Sequence, residues 1–160
     1  MPKVKQTLEP IYDKNSRTLI LGTFPSVKSR EAKFYYSNPR NRFWPMMSKI
    51  FNCSEYTTIE NKKDILIKNR IALWDVIESC DIIGSSDSSI KNVVVADLSI
   101  ILNNANIEKI YANGDKSFKL YMKYAYPITK KEITKLPSTS PANARFTMDK
   151  LMEYWQCIRK

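Results

Sequence analysis

RTLILG, residues 17–22, is an apolar run too short for a helix and closed by glycine. That is the pattern of a strand buried on both faces. IALWDVI (71–77) repeats it, and IEKIYANG (107–114) and KEITKLP (131–137) add a third and fourth strand, the last stopped by proline. Helical patterns lie between and around them. NRFWPMMSKIF (41–51) places Phe43, Met46, Met47 and Ile50 on one face, with Pro45 acceptable only in the first turn. Thr57 to Glu60 reads as a capping box opening a helix to about Asn69. Asp97 caps a short helix through Asn104, and DKSFKLYMKYA (115–125) forms the next. Thr147 caps the last, which carries Met148, Leu151, Trp155 and Ile158 on one face. Strands separated by helices imply βαβ units and a parallel sheet.

Binding sites in such folds lie outside the carboxyl ends of the strands. The loops to inspect therefore begin after Gly22, Asp75, Gly114 and Leu136. Residues 22–44, GTFPSVKSREAKFYYSNPRNRFW, follow the first strand and interleave aromatic rings with Lys28, Arg30, Lys33, Arg40 and Arg42. Flat faces for bases and cations for phosphates are what a groove for unstacked nucleotides requires. Gly22 and Pro25 permit a tight turn, and Ser26 with its neighbouring amides can hold a phosphate or a substrate oxygen. The alternative is that Phe43, Trp44 and one tyrosine fill the core beneath the loop. Asn41 is either an ordinary helix cap or an amide that holds a water. LPSTSPANA (136–144) follows the fourth strand without a charge. Pro137 and Pro141 stiffen it, its hydroxyls can meet phosphate, and a neutral tip enters a base stack at low desolvation cost. Asp75 either accepts an N–H from a base edge or caps the next segment, and Asn113 is turn chemistry unless it binds a base. GSSDSS (84–89) reads as an exposed turn, with Ser88 and Ser89 as phosphate contacts the alternative.

The chain has 160 residues, 26 Lys and Arg against 16 Asp and Glu, and a net charge of +10. A single domain spanning 1–160 is expected. The surplus points to a polyanion, most simply nucleic acid, although a lysine-rich solvated surface gives the same count. Histidine is absent. That removes Ser-His-Asp and Cys-His catalysis, histidine metal sites and imidazole proton shuttling. Cys53, Cys80 and Cys157 form no C-x-x-C pair, which suggests reduced thiols in a reducing cytoplasm and argues against a zinc site. No apolar run of about 18 residues or signal peptide is seen, so a cytoplasmic protein away from membranes is expected.

LILGTFPSVKSRE, FYYSNPRNRFWPMM, ALWDVIESC, GSSDSSIKN, YANG and LPSTSPANARF, in this order, resemble the uracil-DNA glycosylase superfamily, and within it the hypoxanthine-DNA (deoxyinosine) glycosylase branch. The resemblance runs from about residue 17 to 155. It implies a three-layer α/β/α fold around a four-stranded parallel sheet. It implies a monofunctional enzyme that flips a deaminated base, hypoxanthine first and uracil or xanthine second, and hydrolyses its N-glycosidic bond. GTFPS occupies the superfamily's first motif, where many members carry Asp or Asn; here the place falls on Phe24, and the essential amide resembles Asn41 instead. LPSTSPANA resembles the second motif, with Leu136 where several relatives have histidine. Asp75 falls where relatives place a base-reading amide.

The catalytic residue expected is thus Asn41, orienting water toward an oxocarbenium-like sugar. Phe24, Pro25, Ser26 and Tyr36, with Phe43, Asp75 and Asn113, are expected to bind the base. An ionised Asp75 would accept the N1–H of hypoxanthine, and a backbone amide near Phe24–Ser26 would meet O6. Ser29, Arg30 and Arg40, with Ser138, Thr139, Ser140, Pro141 and Asn143, are expected to contact DNA. The partner expected is double-stranded DNA holding a deaminated base, met by a monomer with no metal or other cofactor. Two further readings stand beside this one: a single-strand or mismatch-binding module without catalysis, and a phosphate-binding metabolic enzyme on a similar scaffold.

Overall fold

The computed structural model describes residues 3–54 and 56–159. In chain order its first elements are β1 (Lys3–Lys5), β2 (Thr18–Gly22), α1 (Val27–Ala32), α2 (Phe43–Ile50) and α3 (Ile59–Lys68). Next come β3 (Ile71–Asp75), β4 (Ile77–Asp81), β5 (Lys91–Val95), α4 (Ser99–Leu102) and β6 (Lys109–Asn113). The last are α5 (Asp115–Leu120), α6 (Tyr126–Thr129), β7 (Thr134–Leu136) and α7 (Met148–Trp155).

The expected parallel sheet is present in the order β3-β2-β6-β7. Its inner strands are β2 and β6, and Leu19, Ile20 and Leu21 of β2 have no exposed surface. Burying both faces explains why this strand is apolar throughout rather than alternating. Each such side chain contributes about 1.5–3 kcal/mol of burial free energy. Phe43, Met46, Met47 and Ile50 of α2 are buried on one face, as their spacing predicts, and Leu151, Trp155 and Ile158 do the same at the carboxyl end.

Several expectations shift. The strand expected over 71–77 is two strands. Val76 N–H donates to Gly22 O at 2.9 Å and Ala96 N–H to Val76 O at 2.8 Å, so the chain leaves the parallel sheet at Asp75. It continues as β4 in a second, antiparallel sheet of order β1-β4-β5 that the sequence did not announce. The loop expected from 23 to 40 contains α1, capped by Ser26, whose hydroxyl accepts from Ser29 N–H. Thr58, not Thr57, caps α3. The helix expected over 115–125 continues through a wide π turn at Tyr121–Ala125 into α6. Asp97 Oδ1 does accept from Ser99 N–H, but α4 closes at Leu102. The fourth strand keeps only Thr134–Leu136 of the expected run. Among the described residues no helix is long and apolar enough to cross a membrane.

Candidate active site

Parallel pairing brings the strand ends level: Gly22 lies opposite Asp75, and Asn113 opposite Leu136. The loops leaving those ends enclose a cavity of about 280 Å³. Phe24, Pro25, Ser26 and Ser29 line one side, Tyr36 and Asn41 another, Asp75 and Asn113 the floor, and Ser138, Thr139, Ser140 and Pro141 the far wall. Gly22, Thr23, Tyr35, Asn38, Ser85, Asp87 and Ala142 join them without having been singled out as ligands. The exposed turn expected at GSSDSS thus reaches the rim, tied there by Val27 N–H donating to Ser85 Oγ at 2.9 Å.

A chain of hydrogen bonds crosses the wall. Asn113 Nδ2 donates to Thr139 Oγ1 at 3.1 Å, and Thr139 Oγ1 donates to Asn41 Oδ1 at 2.9 Å. Thr139 N–H returns a bond to Asn113 Oδ1 at 3.0 Å. Asn41 Oδ1 also accepts Phe43 N–H at 2.9 Å. A backbone N–H can only donate, so the atom it meets is the carboxamide oxygen. With Oδ1 occupied twice, Nδ2 is what Asn41 has left to offer a ligand. Asn41 is therefore a turn-former just ahead of α2, whose cap is Arg42. It is not the helix cap, and it lines the cavity.

Arg42 is not a free cation in the groove. Its Nη2 donates to Ser140 O at 2.9 Å and Asn143 O at 3.0 Å, and its Nη1 donates to Phe146 O. Its backbone N–H donates to Thr139 O at 3.1 Å. One side chain thus closes the loop carrying Ser138 to Phe146 onto the residue after Asn41. Trp155 supports the same loop by donating Nε1–H to Pro137 O at 2.8 Å. Gly114 permits the close approach behind it: φ is +102°, and a Cβ there would lie 3.0 Å from Ser138 Cβ.

The end of the cavity at the strand termini is polar and buried. Asp75 is 3% exposed, and its Oδ2 accepts from Gln6 Nε2 at 2.8 Å. Burial pushes the Asp75 carboxyl from 3.8 up to about 7, with the Gln6 bond opposing the rise and the Asp87 charge adding to it. The Tyr36 ring stacks on Phe43 with centroids 4.2 Å apart. Arg30 lies over the Phe24 ring at 5.7 Å and donates Nη2–H to Gly84 O at 2.7 Å.

Four expectations change on this geometry. Phe43 has no exposed surface and lies behind Tyr36, so it supports a stacking ring rather than meeting a base. Thr139 is fully buried with its hydroxyl and amide both committed inward, so it organises the wall and has no group left for a phosphate. Ser29 is 2% exposed, and its hydroxyl accepts Ser37 N–H at 3.1 Å, which makes it a brace inside the loop. Asn143 spends Nδ2 on Ser138 O at 3.0 Å and its carbonyl on Arg42. Ser26 serves as a helix cap while still lining the cavity. Arg40 is exposed outside the cavity, and Ser138 and Ser140 keep their hydroxyls at the rim. Sequence reasoning missed Gln6, because only the pairing of β1 with β4 carries it to Asp75.

An α/β fold with one composite pocket at its strand ends, built from amides, a carboxyl and aromatic rings, defines a site for a flat polar ligand. The family model of the uracil DNA glycosylase superfamily matches residues 9–160. A hypoxanthine DNA glycosylase of Methanosarcina acetivorans is 32% identical over 160 residues, 97% of this chain and 98% of that one. Its counterpart from Methanosarcina barkeri is 33% identical over 115 residues, 71% of this chain and 73% of that one. The solution NMR structure of a Methanosarcina acetivorans protein proposed to be a uracil DNA glycosylase superposes with a TM-score of 0.81 at 32% identity, covering 97% of this chain and 96% of that one. The chain belongs to the uracil DNA glycosylase superfamily, and its activity class is that of a DNA glycosylase.

Proposed function

We propose that this chain excises a deaminated base, hypoxanthine first, from double-stranded DNA and leaves an abasic site. The observation that carries the reading is the convergence of Asn41, Asp75 and Asn113, from three separate strand and helix ends, on one cavity with Phe24 and Ser138 at its walls. The names borne by the two Methanosarcina relatives favour hypoxanthine. The net charge of +10 suits a phosphate backbone.

In this reading the nucleotide is everted into the cavity. Eversion costs a few kcal/mol, least at a mispaired base, which favours lesions over normal pairs. The base slides in beside Phe24 with its edge toward Asp75 and Tyr36. Asn41 donates Nδ2–H to one lone pair of a water and leaves the other lone pair for the sugar carbon. Thr139 and Phe43 N–H hold the carboxamide so that this donor cannot turn away. The N-glycosidic bond breaks ahead of attack, leaving an oxocarbenium-like sugar and the base as its anion; the water adds to the sugar carbon and its released proton goes to the departing base or to solvent, so no strong base is required and the lack of histidine is no obstacle. Fixed donors supply stabilisation without reorganising as charge develops.

The test is to incubate duplexes holding hypoxanthine, uracil or xanthine with the protein and then treat them with hot alkali. Strand breaks at the hypoxanthine, weaker or absent at the other two, are expected. Asn41→Ala is expected to bind the same duplex while turning over at least about 100-fold more slowly, as loss of a positioned transition-state group implies. Tight lesion binding without breaks in the wild type would instead mark a binding module.

A further inference from the structure

Two polar atoms at the cavity floor have unused bonding capacity. Tyr36 Oη is buried with no hydrogen-bond partner among the described residues. An orphan of this kind costs about 1–3 kcal/mol. Tyr36 also holds a left-handed backbone, φ 51°, which disfavours a side chain of its size. Both features persist at a residue whose ring is locked by stacking on Phe43. The second atom is Asp75 Oδ1. Its twin Oδ2 is taken by Gln6 Nε2, and Gln6 cannot turn round because its own Oε1 accepts Leu8 N–H at 2.8 Å. Oδ1 and Oη converge on the bare Cα of Gly22, where a Cβ would lie 2.5 Å from the one and 2.9 Å from the other. An acceptor and a donor therefore stand side by side. The phenol keeps its proton, because burial and the Asp75 charge raise its pKa and outweigh the nearby Asn113 amide, which lowers it; Asn113 can only donate to Oη, so the phenol O–H is still unspent.

We propose that Tyr36 Oη, rather than a backbone amide near Phe24–Ser26, completes the reading of the lactam edge of the everted base beside Asp75 Oδ1, with Gln6 as the positioning residue that decides which carboxyl oxygen faces it. Oδ1 accepts the ring N–H, and Oη donates to the adjoining carbonyl. This rests on the glycosylase reading above and narrows its substrates to bases carrying a ring N–H beside a C=O. Deamination creates that edge. Adenine would set the N1 lone pair against the carboxylate with no water to relieve the repulsion, whereas hypoxanthine presents N1–H. Guanine shares the edge, and its firm pairing with cytosine keeps it in the stack.

The ionised carboxyl is the accepting form. The groups facing it are Gln6 beyond β1, Tyr35 and Tyr36 after α1, and Asp87 from the turn before β5; none is a cation. With the Asp75 carboxyl at about 7, kcat/KM on hypoxanthine is expected to rise with pH through that value. Gln6→Leu removes the bond that opposes the upward shift, so the rising limb moves to higher pH; Gln6→Met serves where Leu does not fold.

Binding supplies the second readout. In an Asn41→Ala background, Tyr36→Phe keeps the ring and loses only Oη. Its affinity for a hypoxanthine duplex is expected to fall about tenfold. For the same duplex with a tetrahydrofuran abasic site in place of the base, which engages the backbone contacts and offers no carbonyl, it is expected to stay unchanged. Equal losses on both duplexes would make Tyr36 merely structural and overturn the proposal, as would no loss on either. A Gln6 variant whose pH limb stays in place overturns the part assigned to Gln6. A wild type that releases no lactam base at all refutes the glycosylase reading itself, which is a separate outcome.

Discussion

Replacing Asp75 by Asn separates what the buried carboxyl does for the site from what it costs the fold. The carboxyl titrates at 3.8 when unperturbed and at about 7 in the folded protein, chiefly through burial. Between those values the folded state binds the proton more tightly than the unfolded chain. Wild-type stability is therefore unaffected by this group below about pH 4, falls as pH rises through the window, and carries the full penalty above about pH 7. Three pH units at about 1.4 kcal/mol each give a ceiling of about 4 kcal/mol. Asn is nearly isosteric, never ionises, and can still accept the Gln6 bond. Its stability relative to wild type is expected to improve by about 2–4 kcal/mol between pH 4.5 and pH 8.5. That corresponds to about 4–16 °C in Tm for a chain of this size. Urea titrations of both proteins at four or five pH values measure it directly. Turnover on hypoxanthine is expected to fall in the same variant, since the anionic acceptor is gone. An offset between the two proteins that stays flat across that pH range would show that Asp75 is not buried as a titrating carboxyl, and the reasoning would fail.

Arg42→Met removes the clamp on Ser140, Asn143 and Phe146 carbonyls; turnover is expected to drop while the salt dependence of DNA affinity keeps its slope, whereas a phosphate-contacting arginine would lower the slope by about one. Thr139→Val leaves Asn41 Oδ1 and the buried Asn113 Nδ2 each short of a partner, at about 1–3 kcal/mol in urea unfolding, and slows excision; Thr139→Ser is expected to restore both. Gly22→Ala drives a methyl to 2.5 Å from Asp75 Oδ1, an overpacking expected to cost about 1–3 kcal/mol in the same measurement.

The elements that could be read from residues alone share one property: the signal lies within the element. The runs at 17–22, 71–75 and 109–113 are apolar because each strand is covered on both faces, and the α2 spacing shows because one face is buried. The α1 segment VKSREA was missed because it is short and mostly polar, with Ser29 its buried member. The antiparallel sheet was missed because β1 is three residues long and β4 follows β3 after one residue, with no turn signal between.

By itself the sequence determined the order of the parallel strands' segments, the loops that would meet at their ends, the cationic surplus and the exclusion of histidine chemistry. The tertiary structure alone decided which side chains in those loops face the cavity. It put Tyr36 in front of Phe43, turned Arg42 from a presumed phosphate ligand into a brace, and delivered Gln6 to a carboxyl 69 positions away. The physical reason is one of range. Burial of an apolar run is set by neighbours a few residues off, whereas the direction of a polar side chain is set by its hydrogen-bonding partner, and here those partners lie up to 104 residues distant.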